Sequence, residues 1–193
     1  MPDIHSVAVF CGSNSGTDPA FAAGARALGR GLAVAGMRLV YGGGRVGLMG
    51  AVADAAVEAG GDVLGVIPEF LARLEVAHTG IAGLTVTDSM HSRKQLMFAE
   101  ADAFVSLPGG LGTLDETVEI ITWRQLGLHD KPILLCDIAG SAAPLLAAID
   151  AAISFGFASP RARDLFEVAE GVGPLLERLR SLPRAPAVPA DRL

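Results

Sequence analysis

Apolar residues along this chain follow two alternating rhythms. Runs such as Ser6-Val7-Ala8-Val9-Phe10-Cys11 and Pro132-Ile133-Leu134-Leu135-Cys136 are apolar almost without a break, as expected of strands covered on both faces of a parallel sheet. Between such runs, apolar residues return every three or four positions, the spacing of a helix. The pattern predicts strands near 6–11, 37–42, 62–67, 83–87, 103–107, 132–136 and 165–168. It predicts helices near 18–35, 47–59, 90–101, 113–127, 141–154 and 171–181. Strands alternating with helices over short links imply an α/β fold, a doubly wound, mainly parallel sheet of about seven strands with right-handed crossovers. Ligands bind such sheets beyond the carboxyl ends of the strands.

Length and composition narrow the picture. The 193 residues suit one domain, expected over 1–182, with a Pro-rich tail at 183–193 expected to be flexible. Hydrophobic residues make up 51% but aromatics only 5%, so Ala, Val, Leu and Ile must build the interior. A net charge of −6 argues against a general nucleic-acid binder, which carries a basic face. No apolar stretch approaches the roughly 20 residues that span a bilayer, and no signal-type segment opens the chain. The expected setting is the cytoplasm, with neither membrane nor nucleic acid as partner. Cys11 and Cys136 lie on separate predicted strands and read as reduced core thiols. His5, His78, His91 and His129 are scattered, and no metal-ligand set is expected.

The strand ends hold the candidate chemistry. Three glycine-bearing turns should open on one edge of the sheet: Gly12-Ser13 after the first strand, Gly42-Gly43-Gly44 after the second, and Pro108-Gly109-Gly110 after the fifth. The last leads into Leu111-Gly112-Thr113-Leu114-Asp115-Glu116. Glycines at a strand-to-helix junction let consecutive N–H groups point outward, and the helix adds its positive dipole end, so the junction suits a phosphate. Glu116 stands close by and is a candidate for chemistry on a phosphorylated substrate. It also has a structural reading, since Thr113-Leu114-Asp115-Glu116 fits a capping box with Thr113 as cap. Arg93 and Lys94 fall at a predicted helix start, where cations oppose the dipole, so a phosphate or Glu116 is expected to pair with them.

The segment Gly42-Gly43-Gly44-Arg45-Val46-Gly47 fits G-x-G-x-x-G between a strand and a helix. It follows the second strand rather than the first, and Pro68 stands where an acid would hold a ribose. A dinucleotide, a mononucleotide or other phosphorylated ligand, and simple turn-making all remain open for it.

Two motifs together point further: Met90-His91-Ser92-Arg93-Lys94, and Pro108-Gly109-Gly110-Leu111-Gly112-Thr113-Leu114-Asp115-Glu116 one helix and one strand later. With Phe10-Cys11-Gly12-Ser13, Gly47-Leu48-Met49-Gly50 and Ile121-Thr122-Trp123, the chain resembles the LONELY GUY family of cytokinin-activating phosphoribohydrolases from about residue 5 to 180. Leu111 stands where an aromatic is common there, and Asp115 where Glu is common.

That resemblance implies a Rossmann-like protein, usually a dimer, which cleaves the N-glycosidic bond of an N6-substituted adenosine 5′-monophosphate without a cofactor. It implies substrate contacts at Glu75, Arg93, Lys94, Gly110, Leu111, Gly112, Thr113, Leu114, Asp115, Glu116 and Thr122, with Arg93 and Glu116 the pair on which activity depends. Gly12, Ser13, Gly43, Gly44 and Gly109 join them as strand-end candidates. Relatives often carry an older label, lysine decarboxylase, but a pyridoxal phosphate enzyme needs a Schiff-base lysine, and this chain has only Lys94 and Lys131. A non-catalytic nucleotide carrier is the alternative, and a nicotinamide-dependent oxidoreductase would rest on G-x-G-x-x-G alone. Apolar residues in the flanking helices (Leu96, Met97, Phe98, Val118, Ile121, Trp123 and Leu126) exceed what one covered face requires, so a homodimer is expected.

Overall fold

A computed structural model describes residues 4–74 and 77–185. The strands are β1 (Ser6–Phe10), β2 (Arg38–Tyr41), β3 (Val63–Pro68), β4 (Gly83–Thr87), β5 (Ala103–Ser106), β6 (Ile133–Asp137) and β7 (Glu167–Glu170). They form one sheet in the order β4-β3-β2-β1-β5-β6-β7. Every neighbouring pair is parallel, so the expected doubly wound α/β architecture is realised, with no antiparallel strand in the sheet among the described residues. The winding reverses between β1 and β5, where Phe10 lies opposite Ser106. That is the point at which such sheets open a crevice.

The helices are α1 (Pro19–Val34), α2 (Gly47–Glu58), α3 (Glu69–Leu74), α4 (Met90–Glu100), α5 (Leu111–Gln125), α6 (Ala143–Ser154) and α7 (Val172–Ser181). On one face of the sheet Leu28 and Leu32 of α1, Val52 of α2 and Leu175 of α7 join Val7, Leu39 and Val105 in a buried core. On the other face Met97 and Phe98 of α4 and Ile120 of α5 pack with Ala8, Phe104 and Leu135. Leu145, Leu146 and Ile149 of α6 lean on that second core while staying partly exposed.

Three local features differ from the pattern-based expectation. α3 follows β3 without a link, and a 3-10 helix at Pro160–Leu165 moves the last strand to Glu167–Glu170. α5 starts at Leu111 instead of Thr113. At the amino edge of the sheet, buried Asp102 accepts hydrogen bonds from the N–H groups of His5 (2.9 Å) and Ser6 (3.1 Å). Its other oxygen pairs with Arg184 at 2.8 Å, so the first part of the expected tail is fastened to the domain. The rest of that tail, 186–193, lies outside the described residues. Nearby, Lys131 Nζ donates to the Phe98 carbonyl at 2.6 Å, placing a cation at the carboxyl end of α4, where the helix dipole favours it.

Candidate active site

Backbone from three loops is knitted together at the carboxyl edge of the sheet. The Gly12 N–H donates to the Pro108 carbonyl at 3.1 Å, and the Gly12 carbonyl accepts from the N–H groups of Leu48 (3.0 Å) and Met49 (3.3 Å). The amino end of α2 is therefore closed by the protein itself. The Gly43 carbonyl accepts the His78 N–H at 3.0 Å, and Gly44 forms an antiparallel bridge with Ala77. The hydrogen bonds of the G-x-G-x-x-G segment at 42–47 are those of turn-making. A pyrophosphate would need the α2 N–H groups that Gly12 already occupies.

The amino end of α5 is different. Gly110 is its cap and offers no side chain, and the first backbone bond runs from the Leu114 N–H to the Gly110 carbonyl at 3.0 Å. The N–H groups of the first turn thus have no partner within the helix, and the dipole adds its positive end. The capping box expected at Thr113–Glu116 does not form. Because glycine can cap without a side chain, the helix begins earlier and Thr113 falls inside its first turn, 6% exposed. Its hydroxyl faces Gly109, where an added Cβ would stand 2.1 Å from Oγ1, so only glycine fits there. Beside this end lies a cavity of about 380 Å³ lined by Gly12, Ser13, Asn14, Phe21, Gly109, Gly110 and Ser141 among others. It falls within the size range of small-molecule sites.

Glu116, freed from capping, turns toward α4. A true capping box opens that helix, with the Ser92 N–H on Ser89 Oγ (3.1 Å) and the Ser89 N–H on Ser92 Oγ (3.2 Å). Arg93 follows, 8% exposed, with Nε donating to the Val66 carbonyl at 3.1 Å and Nη2 to the Gly42 carbonyl at 3.2 Å. Its Nη1 stands 3.6 Å from Glu116 Oε1. Gly42 makes room for this guanidinium, since a Cβ there would lie 2.1 Å from Nη2. Lys94 Nζ reaches Asp115 Oδ2 at 2.8 Å and Glu119 Oε2 at 3.1 Å. Three carboxylates on α5 thus answer the two cations at the start of α4, which offsets their unfavourable position on the helix dipole.

The electrostatics single out Glu116. Burial pushes its carboxyl above the ordinary range, against the pull of Arg93 and then of Lys94. Burial works against the charge of Lys94 as well, but hydrogen bonds to Asp115 and Glu119 hold its ammonium above the usual value. Burial also drives the Cys11 thiol strongly up, with the Glu116 charge adding to the effect, so Cys11 stays a protonated core thiol rather than a nucleophile.

Arg93, Glu116, Lys94 and Asp115 are brought together as a cluster, and Gly12, Ser13, Gly109 and Gly110 line the cavity beside the amino end of α5, with Thr113 packed behind Gly109. Arg93 and Glu116 do not line the cavity. The pair lies over the ends of β2 and β3, and the first turn of α5 connects the two areas, with Thr113 toward Gly109 and Glu116 toward Arg93. Leu111, 86% exposed, and Gly112 form the outer tip, while Gly43 and Gly44 are buried in the loop seam. Thr122 is exposed and donates to the Val118 carbonyl at 2.8 Å, away from Arg93. Glu75 lies outside the described residues. Sequence reasoning missed the carbonyls of Gly42 and Val66 that fix Arg93, because a backbone acceptor leaves no mark in the choice of residue.

Comparison with known proteins places this cluster in context. A cytokinin riboside 5′-monophosphate phosphoribohydrolase of Rhodococcoides fascians is 45% identical over 181 residues, spanning 93% of this chain and 91% of the relative. The chain belongs to this phosphoribohydrolase family. A family member of Arabidopsis thaliana, also named as a cytokinin riboside 5′-monophosphate phosphoribohydrolase, is 45% identical over 90% of this chain and 80% of its own. Residues 49–179 match a family model described as possible lysine decarboxylase. The residues do not fit that description. Lys94 is bound to Asp115 and Glu119, and Lys131 is buried against the Phe98 carbonyl, so neither lysine stands ready for a pyridoxal phosphate aldehyde. The molybdenum cofactor binding protein of Rippkaea orientalis shares the fold at a TM-score of 0.70 and 21% identity, over 92% of this chain and 96% of that one. Among the described residues no helix is long and apolar enough to cross a membrane.

Proposed function

We propose that the protein hydrolyses the N-glycosidic bond of an adenosine 5′-monophosphate, with or without an N6 substituent, to free base and ribose 5-phosphate. The observation that carries this reading is the first turn of α5, whose unpartnered N–H groups stand within one helical turn of Glu116, a largely enclosed carboxylate held by Arg93. The family membership supports it.

In this reading the substrate phosphate sits in the cavity against the glycine loop and the α5 N–H groups, with the Thr113 hydroxyl behind Gly109. The ribose extends across the first turn toward Glu116. Cleavage breaks the bond between C1′ and the base nitrogen; the electron pair leaves with the base, which takes a proton from solvent. Glu116 stabilises the cationic ribose, and water adds its oxygen to C1′ and returns a proton to solvent, balancing the one taken by the base. Arg93 holds the carboxylate by charge and keeps it ionised. Asp115 and Glu119, both committed to Lys94, take no part in the bond cleavage. Incubation with AMP and isopentenyl-adenosine monophosphate, followed by chromatography of the free base, tests this. Release of base is expected from monophosphates but not from the corresponding nucleosides. No base from any nucleoside monophosphate would overturn the reading, and tight AMP binding without turnover would favour a carrier.

A homodimer is part of the same proposal, though its surface differs from the one expected. Met97, Phe98 and Ile121 are buried in the chain's own core, and Leu96 and Trp123 pack against it. The apolar surface left over runs along α5 at Leu111 (86% exposed), Leu114 (42%) and Val118 (45%), with Leu126 (67%) just past its end. Thr122 shares that outer face, so its contact with substrate would have to come from a second copy. The two buried free thiols suit a cytoplasmic setting, where cysteines stay reduced.

A further inference from the structure

Behind the glycine loop, on its sheet side, lie two buried hydroxyls that bond cleavage does not use. Ser106 ends β5 and is 9% exposed, and Thr117 of α5 is 0% exposed. Ser106 Oγ is 2.7 Å from Thr117 Oγ1, which in turn is 2.6 Å from the Thr113 carbonyl oxygen. A carbonyl only accepts, so the single proton of Thr117 goes to Thr113, and Ser106 must donate to Thr117. The relay therefore runs in one direction, from the strand before the loop to the first turn of the helix after it.

Its position matters because side-chain packing does not fill the space beneath the loop. A cavity of about 50 Å³ lies there, bordered by Ser106, Pro108, Gly109 and Thr113 among others. An apolar pair of the same shape would satisfy burial equally well, since replacing both partners of a buried hydrogen bond is nearly neutral for stability. Core packing alone therefore gives no reason for hydroxyls at these two positions. The relay's end point does: Thr113 is the residue whose hydroxyl faces Gly109, inside the turn with unpartnered N–H groups.

We infer that Ser106 and Thr117 are positioning residues for the substrate phosphate, joining the two ends of the glycine loop so that Thr113 and the α5 N–H groups keep their spacing from Gly109-Gly110. This rests on the reading of the α5 amino end as the phosphate site. The test compares Thr117→Val, Ser106→Ala and the conservative Thr117→Ser with the unaltered protein. It measures kcat and KM on AMP and, separately from turnover, binding of ribose 5-phosphate by calorimetry. Thr117→Val is expected to raise KM and weaken ribose 5-phosphate binding by about 5-fold, with kcat within about 2-fold, the pattern of a lost uniform binding interaction. Ser106→Ala should move both in the same direction by about 2-fold, the low end for a neutral hydrogen bond, and it keeps the test open if Thr117→Val does not fold. Thr117→Ser should restore both values. If the variants lose only thermal stability, with KM and ribose 5-phosphate binding unchanged, the relay is merely structural and the inference falls. If the unaltered protein binds no ribose 5-phosphate, the phosphate site itself is wrong and the positioning role falls with it.

Discussion

The Glu116 carboxyl and Arg93 guanidinium stand 3.6 Å apart, with side-chain exposures of 12% and 9%, so each charge relies on the other where water is largely excluded. The helix is capped at Gly110, leaving Glu116 no cap to maintain. Glu116→Gln keeps the shape and leaves Arg93 its hydrogen bonds to the Val66 and Gly42 carbonyls, so it is expected to change the melting temperature by only a few degrees. Its turnover should fall at least about 100-fold, because the charge that answers the ribosyl cation is gone. Near-normal turnover in that variant would remove Glu116 from the chemistry. Burial also sets a pH dependence. The carboxyl lies above its ordinary range, and in the proposed reaction its ionised form is the active one. As pH falls, kcat/KM should be lost at a higher pH than the roughly 4.3 of a free glutamate would give. Lys94 is one of the cations that pull this carboxyl down, and it neutralises Asp115 and Glu119, which push it up. Lys94→Met should therefore shift the acid limb of the pH profile to still higher pH, and an unmoved or lowered limb would contradict the assignment.

At the scale of elements, the candidate site is the meeting of α4 with α5, and backbone from β3 and the loop after β2 fixes Arg93 within it. The carbonyls of Gly42 and Val66 grip Arg93, and Gly42 has room for the guanidinium only because it has no Cβ. Gly42→Ala keeps every charged residue yet must displace Arg93, and kcat should fall by roughly 10- to 100-fold, as misplacement of a catalytic group by about an ångström can do. A variant with unchanged kcat would mean that the grip is dispensable. The central elements were largely legible: the apolar runs of β1, β3, β5 and β6 are covered on both faces, which leaves few polar positions to confuse the pattern. The edge strand β7 is instead mostly exposed and mixes charged with apolar residues, so its position was displaced. α3 was not legible, since Glu69–Leu74 follows Pro68 directly and is too short for a helical period to stand out. The start of α5 departs from the side-chain pattern for a physical reason. Thr113 and Glu116 have the right types and spacing for a capping box, and a glycine cap one turn earlier leaves no side-chain signature. The cluster of Arg93, Lys94 and Glu116 could be found from residue types, but the carbonyls that hold it could not.

At the scale of the whole molecule, the exposed apolar face of α5 sets an expectation for assembly. Val118→Glu together with Leu126→Glu should convert a dimer to a monomer in sedimentation, and a protein already monomeric at micromolar concentration would reject the proposal. The apolar pattern could reveal a surplus along these helices but not its location, because Met97, Phe98 and Ile121 turned out to belong to the chain's own core. The all-parallel sheet has a further consequence. Its two rims have separate occupations. One holds the glycine loops and the Arg93–Glu116 pair; the other holds Asp102, which ties His5 and Ser6 to Arg184, and Lys131, which seats on the end of α4. Asp102→Asn should therefore lower stability by about 1–3 kcal/mol, seen as a lower midpoint in urea, while kcat and KM at 25 °C stay as they were. On the proposed reading, Asp102→Asn and Glu116→Gln act at opposite rims of the sheet, so stability and turnover can be varied one without the other.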